Sequence, residues 1–87
     1  MTLQILSTPS DQAEKLLNEE IEREIPGAGV ELAAGCAGHF EVKVKSAEFA
    51  GQSRVEQQRR VYSAIGHLMK GETAPVHAID KMEILIP

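Results

Sequence analysis

The chain reads as an α+β domain, with two helices on one face of a three-stranded mixed sheet in the order αββαβ and an extra helical turn before the second helix. Three observations predict it. Phe40, Val42 and Val44 alternate with Glu41, Lys43 and Lys45, the period of two of a half-buried strand. From Ser53 the period lengthens to that of a helix, and Ser53 with Glu56 three places on forms a capping box. A helical crossover then joins the second and third strands, which suits a parallel pair closed right-handedly, while the first two strands are joined by a short loop, as in a hairpin.

Taken in order, Met1 to Ser7 is short and mixed and reads as a loose lead-in or a brief edge segment. Thr8 reads as an N-cap and Pro9 as the first helical residue, with Asp11 and Glu14 at the positive end of the dipole. Ala13, Leu16, Leu17, Ile21 and Ile25 form the apolar stripe. Glu19, Glu20, Glu22, Arg23 and Glu24 cover the remaining surface as a solvated exterior, and Pro26-Gly27 ends the helix. Val30 and Leu32 flank Glu31 in a short first strand. Ala33-Ala34-Gly35-Cys36-Ala37-Gly38 reads as a flexible hairpin loop, and the second strand opens at His39.

An extra helical turn falls around Ala47 to Gly51. The second helix places Val61, Tyr62, Ile65, Leu68 and Met69 on one side and Glu56, Arg59, Arg60, Ser63 and His67 on the other. Glu56 and Arg60 have the spacing of an i,i+4 ion pair, worth a few tenths of a kcal/mol. Gly66 costs about 1 kcal/mol against alanine, and the pattern offers no role for it. A polar connector from Lys70 to Pro75 leads into a third strand, Val76 to Ile86. Its expected inner face is Val76, Ala78, Met82, Ile84 and Ile86, interrupted by Asp80, with His77, Lys81 and Glu83 outward.

The 87 residues make one domain, 1–87, with a modest core. Phe40, Phe49 and Tyr62 are its only aromatic residues. The net charge of −4 disfavours general affinity for nucleic acid, but the charge is unevenly spread. Residues 1–40 carry two basic and seven acidic groups; residues 41–70 carry six basic and three acidic. No apolar run approaches the roughly 20 residues of a membrane span, and no signal-peptide pattern opens the chain. A single cysteine excludes an internal disulfide, so a cytoplasmic, reducing setting is expected.

No serine-protease-like order, zinc spacing or phosphate loop is present. Gly35-Cys36-Ala37-Gly38 has the letters of the GXXG loop of KH domains, but that loop joins two helices whereas this one joins two strands. Cys36, His39 and His77 are the candidate metal ligands. A thiol and an imidazole three residues apart share a loop, and His77 opens a strand parallel to the one opened by His39. Thiolate and imidazole suit soft or borderline metals, including iron in iron–sulfur clusters, and three donors leave part of the sphere to outside ligands. Lys43, Lys45, Arg54, Arg59 and Arg60 form the candidate nucleic-acid-binding set.

The chain resembles the BolA-like family. The residues that carry the resemblance are His39-Phe40-Glu41-Val42; the Ser46 to Ser53 turn with Phe49 and Gly51; Val55 and Val61-Tyr62 on the helix; and Val76-His77-Ala78. The resemblance implies a class II KH-like fold, αββ(α)αβ. It also implies a non-enzymatic partner of monothiol glutaredoxins that shares a [2Fe-2S] cluster, with glutathione, across a heterodimer. The isolated protein, a monomer or weak homodimer, is expected to hold no cluster. The family's histidine ligand falls on His77 and its variable loop ligand on Cys36 or His39. Some members are assigned DNA binding or transcriptional regulation. Gln57-Gln58-Arg59, where many members have Arg-His-Arg, resembles the IbaG/YrbA-like branch, and the chain ends at Met82-Glu83-Ile84-Leu85-Ile86-Pro87 without the tail many members carry.

Between the two loop candidates, alternation places His39 outward, on the side expected for His77, which favours it on geometry. Cys36 is favoured on chemistry, because its thiolate binds ferric iron more strongly and the loop can bend. Both are expected to take part conditionally, with Cys36 preferred in the reduced protein.

Overall fold

In a computed structural model, which describes residues 9–87, the elements run α1 (Pro9–Glu24), β1 (Gly29–Ala34), β2 (His39–Lys45), a 3-10 turn (Ala47–Phe49), α2 (Arg54–Ile65), a second 3-10 turn (Gly66–Met69) and β3 (Ala78–Leu85). The lead-in before Thr8 and the Thr8 cap lie outside the described residues. The sheet order is β1-β2-β3, with β1 antiparallel and β3 parallel to the central strand. The expected α+β architecture and mixed sheet are those observed.

The alternation in β2 determines which face is covered. Phe40, Val42 and Val44 are buried, with Val30 and Leu32 of β1 packed beside them. Ala13, Leu17 and Ile21 of α1 and Val61, Ala64 and Ile65 of α2 close over that face. Ile25, just past α1, keeps a helical bond from its N–H to the Ile21 carbonyl at 2.8 Å. Each fully buried large side chain contributes about 1.5–3 kcal/mol.

Both apolar stripes are narrower than their periodicity implies. Leu16 is 38% and Tyr62 42% exposed. On α1 the buried row is Ala13, Leu17 and Ile21, and a neighbour one residue away, such as Leu16 beside Leu17 or Tyr62 beside Val61, is turned by about 100°.

The capping box forms: the Ser53 hydroxyl accepts from Glu56 N–H at 3.2 Å, and Ser53 N–H donates to Glu56 Oε1 at 2.9 Å. This engages the Glu56 carboxylate at the helix start. The expected pairing of Glu56 with Arg60 is replaced by one between Arg60 and Glu48 of the first 3-10 turn. At Gly66 the helix tightens into the second 3-10 turn with φ −56°. The space into which a Cβ would point is open, so nothing there requires glycine. His67 and Arg23 both reach Glu20, at 3.3 and 3.1 Å, tying that second turn to α1.

The third strand departs most from expectation. It begins at Ala78, not Val76, and Val76 is buried in the connector, with its N–H bonded to the Leu68 carbonyl at 3.2 Å. Phe40 pairs with Ile79 but Glu41 pairs with Lys81, so Asp80 is an extra, unpaired residue. This bulge switches the phase of the strand. Ile79, Met82 and Ile84 pack on the core, Ala78 stands opposite His39, and Ile86 lies past the strand end, 49% exposed.

Candidate functional site

The hairpin between β1 and β2 is shorter than the expected Ala33–Gly38 loop. Ala33 and Ala34 remain in the strand, leaving a closed turn at residues 35–38. Gly35 N–H donates to the His39 carbonyl at 2.9 Å, and His39 N–H donates to the Cys36 carbonyl at 2.8 Å. Cys36 is exposed on this turn. Its accessibility comes from its place at the tip, while the backbone carrying it is hydrogen-bonded.

His77 reaches the same corner from the connector before β3. Its N–H donates to the Gly38 carbonyl at 2.7 Å, and Ala78 N–H shares that acceptor at 3.1 Å. The ring lies against Gly38, whose φ of 78° is one that glycine adopts without strain. His77 is exposed and borders a groove with Gln12 and Leu16 of α1, Phe40, Thr73 and Pro75.

His39 is directed elsewhere. It stands on the outer face of the sheet, and its Nδ1 lies 2.9 Å from Oδ1 of Asp80. Its strand partner is Ala78, while His77 precedes the strand and borders the helix-side groove. The two rings were expected on one side of the sheet; the fold gives each its own surroundings. The sheet end thus gathers Cys36, His39 and His77 without converging them, and among the described residues no three His, Cys, Asp or Glu side chains are placed to hold one metal ion. The donors are an exposed thiol and two partly or fully exposed imidazoles, all of them types that bind soft or borderline metals.

Sequence reasoning missed Asp80, Gly38 and Leu16 as members of this corner. Asp80 had left a signal, as the break in the apolar pattern of the third strand.

The basic residues do not form one surface. Lys43 stands on the outer face between its strand partners Glu31 and Glu83, 4.0 Å from the latter's carboxylate. Lys45 is on the same face, opposite Gly29 and Leu85. Arg54, Arg59 and Arg60 belong to α2, in the helical layer, and Arg60 is paired with Glu48.

The family described as BolA-like protein matches the chain over residues 18–83. A BolA protein homologue from Coxiella burnetii is similar in structure, with 28% identity, a TM-score of 0.64 and 92% of each chain covered. BolA1 from Mus musculus shares 25% identity at a TM-score of 0.66, covering 100% of this chain and 72% of that one. BolA1 from Arabidopsis thaliana, at 20% identity, shares the fold with a TM-score of 0.67 over 94% of this chain and 95% of its own. No curated protein sequence matches the chain.

Proposed function

The chain belongs to the BolA-like protein family, and from that membership we propose that it is a non-enzymatic, cytoplasmic adaptor that partners a monothiol glutaredoxin and shares a [2Fe-2S] cluster with it in iron–sulfur trafficking or iron homeostasis. The observation that carries the reading is His77: an exposed imidazole seated against Gly38, at the same sheet end as Cys36 and His39. His77 is the first ligand, and Cys36 or His39 the second. Glutaredoxin and glutathione supply the remaining ligands, so the protein alone, a monomer or weak homodimer, binds the cluster poorly. The cluster is cargo, and this chain's task is to present donors at an open corner.

The reading as a member of the IbaG/YrbA-like branch rests on the sequence run that opens with Gln57. The Gln57 side-chain amide donates to the carbonyls of Phe49 at 3.1 Å and Gln52 at 3.2 Å, giving this glutamine a structural task at the position where many members carry a basic residue.

Mixing the protein with a monothiol glutaredoxin, glutathione, iron and sulfide is expected to give a coloured heterodimer. A visible spectrum unchanged by His77→Ala and by the Cys36→Ser/His39→Ala double substitution would remove the ligand assignment.

A further inference from the structure

The bulge in β3 places a carboxylate behind a candidate ligand. Asp80 is the residue of β3 that pairs with none on β2. Bulges commonly re-aim a side chain beside a functional site, and this one brings Asp80 to His39 across 41 residues of sequence. An ionised carboxylate only accepts, so the Nδ1···Oδ1 contact of 2.9 Å puts a proton on Nδ1, which in the neutral ring leaves the lone pair on Nε2. The two side chains are 41% and 51% exposed, so the ring is oriented without being walled in.

We infer that Asp80 is a positioning residue: it holds His39 as the Nδ1–H tautomer, in one ring orientation, so that Nε2 is the nitrogen offered to a metal. A carboxylate hydrogen-bonded to the far nitrogen of an imidazole fixes its tautomer and raises its basicity as a ligand. His39 is thereby prepared before any partner arrives, whereas Cys36 sits exposed at the tip of the neighbouring turn. The consequence for cluster binding rests on the adaptor reading above; the tautomer does not.

The first measurement uses the isolated, metal-free protein in mildly alkaline solution, where a neutral imidazole reports its tautomer through its ring nitrogen chemical shifts. His39 is expected as Nδ1–H in the parent, shifted toward Nε2–H in Asp80→Ala, and retained as Nδ1–H in Asp80→Asn, whose amide oxygen still accepts. A parent ring that is mainly Nε2–H, or one indifferent to Asp80→Ala in a variant whose amide spectrum shows it folded, overturns the inference. The second measurement follows cluster loss from the glutaredoxin complex. Asp80→Ala is expected to lose it about 10–100-fold faster than the parent, with Asp80→Asn between. If His39→Ala speeds loss and Asp80→Ala does not, Asp80 does not act through His39. If His39→Ala leaves loss unchanged, His39 is not a ligand and the adaptor reading must rely on Cys36, while the tautomer result stands by itself.

Discussion

Gly38 and His77 occupy one space: a Cβ at position 38 would fall 2.0 Å from His77 Cδ2 and 2.8 Å from Cγ. Gly38→Ala therefore forces the imidazole to move and also places a side chain at φ 78°. The backbone strain alone costs about 1–2 kcal/mol. Urea unfolding should show that loss, and the glutaredoxin complex of the variant should load less cluster than the parent. A variant of parental stability would show that the turn relaxes around the new methyl group.

Phe40 and Phe49 are both fully buried, and each change to alanine is expected to cost about 3–5 kcal/mol. That is a large share of the roughly 5–15 kcal/mol available to a domain. Their milder leucine variants should separate. Phe40 borders the groove beside His77, so Phe40→Leu should shift the His77 ring resonances and Phe49→Leu should leave them in place.

Leu16 and Leu17 are neighbours in sequence with opposite fates. Leu17→Ala should cost about 2–5 kcal/mol, while Leu16→Ala, at a 38% exposed position, should cost under about 1 kcal/mol. Comparable losses by thermal or urea unfolding would mean that Leu16 packs more fully in solution.

The helix cap is open to the same treatment. Ser53→Ala removes the acceptor for Glu56 N–H and is expected to cost about 1 kcal/mol. Glu56→Gln should cost less, since its amide oxygen can still accept from Ser53 N–H.

Nucleic-acid binding should be weak. Lys43 is flanked by two glutamates and Arg60 is paired with Glu48, so few of the basic groups can release counterions from phosphates together. A gel shift at physiological salt is expected to show no submicromolar complex. Tight, sequence-dependent binding that weakens steeply with salt would favour a regulator over an adaptor.

The parts of this fold legible in sequence are those governed by near neighbours. The alternation from Phe40 to Val44 and the reciprocal bonds of Ser53 and Glu56 follow from residues within four positions of each other. Helix-face width is less legible, because it depends on what the helix packs against; Leu16 and Tyr62 show this. The bulge is less legible still. Ala78 and Ile79 exchange faces through one unpaired residue, and nothing local to β3 states its register on β2. The candidate ligands were nameable from residue types and resemblance. The contact between His39 and Asp80 was not, because it exists only once a strand 41 residues away has been aligned.

That alignment has a temporal side. The β1–β2 hairpin closes through a four-residue turn, so Cys36 and His39 can be near their final places early. Gly38 receives His77, and His39 receives Asp80, only where the start of β3 lies beside β2, across the whole crossover. Long-range parallel pairings of this kind are slow steps, because loop closure must precede the contacts that reward it. The corner that carries the candidate donors is therefore assembled from both ends of the crossover, and a half-folded chain lacks it. A partner that docks there would distinguish a finished molecule from a nascent one.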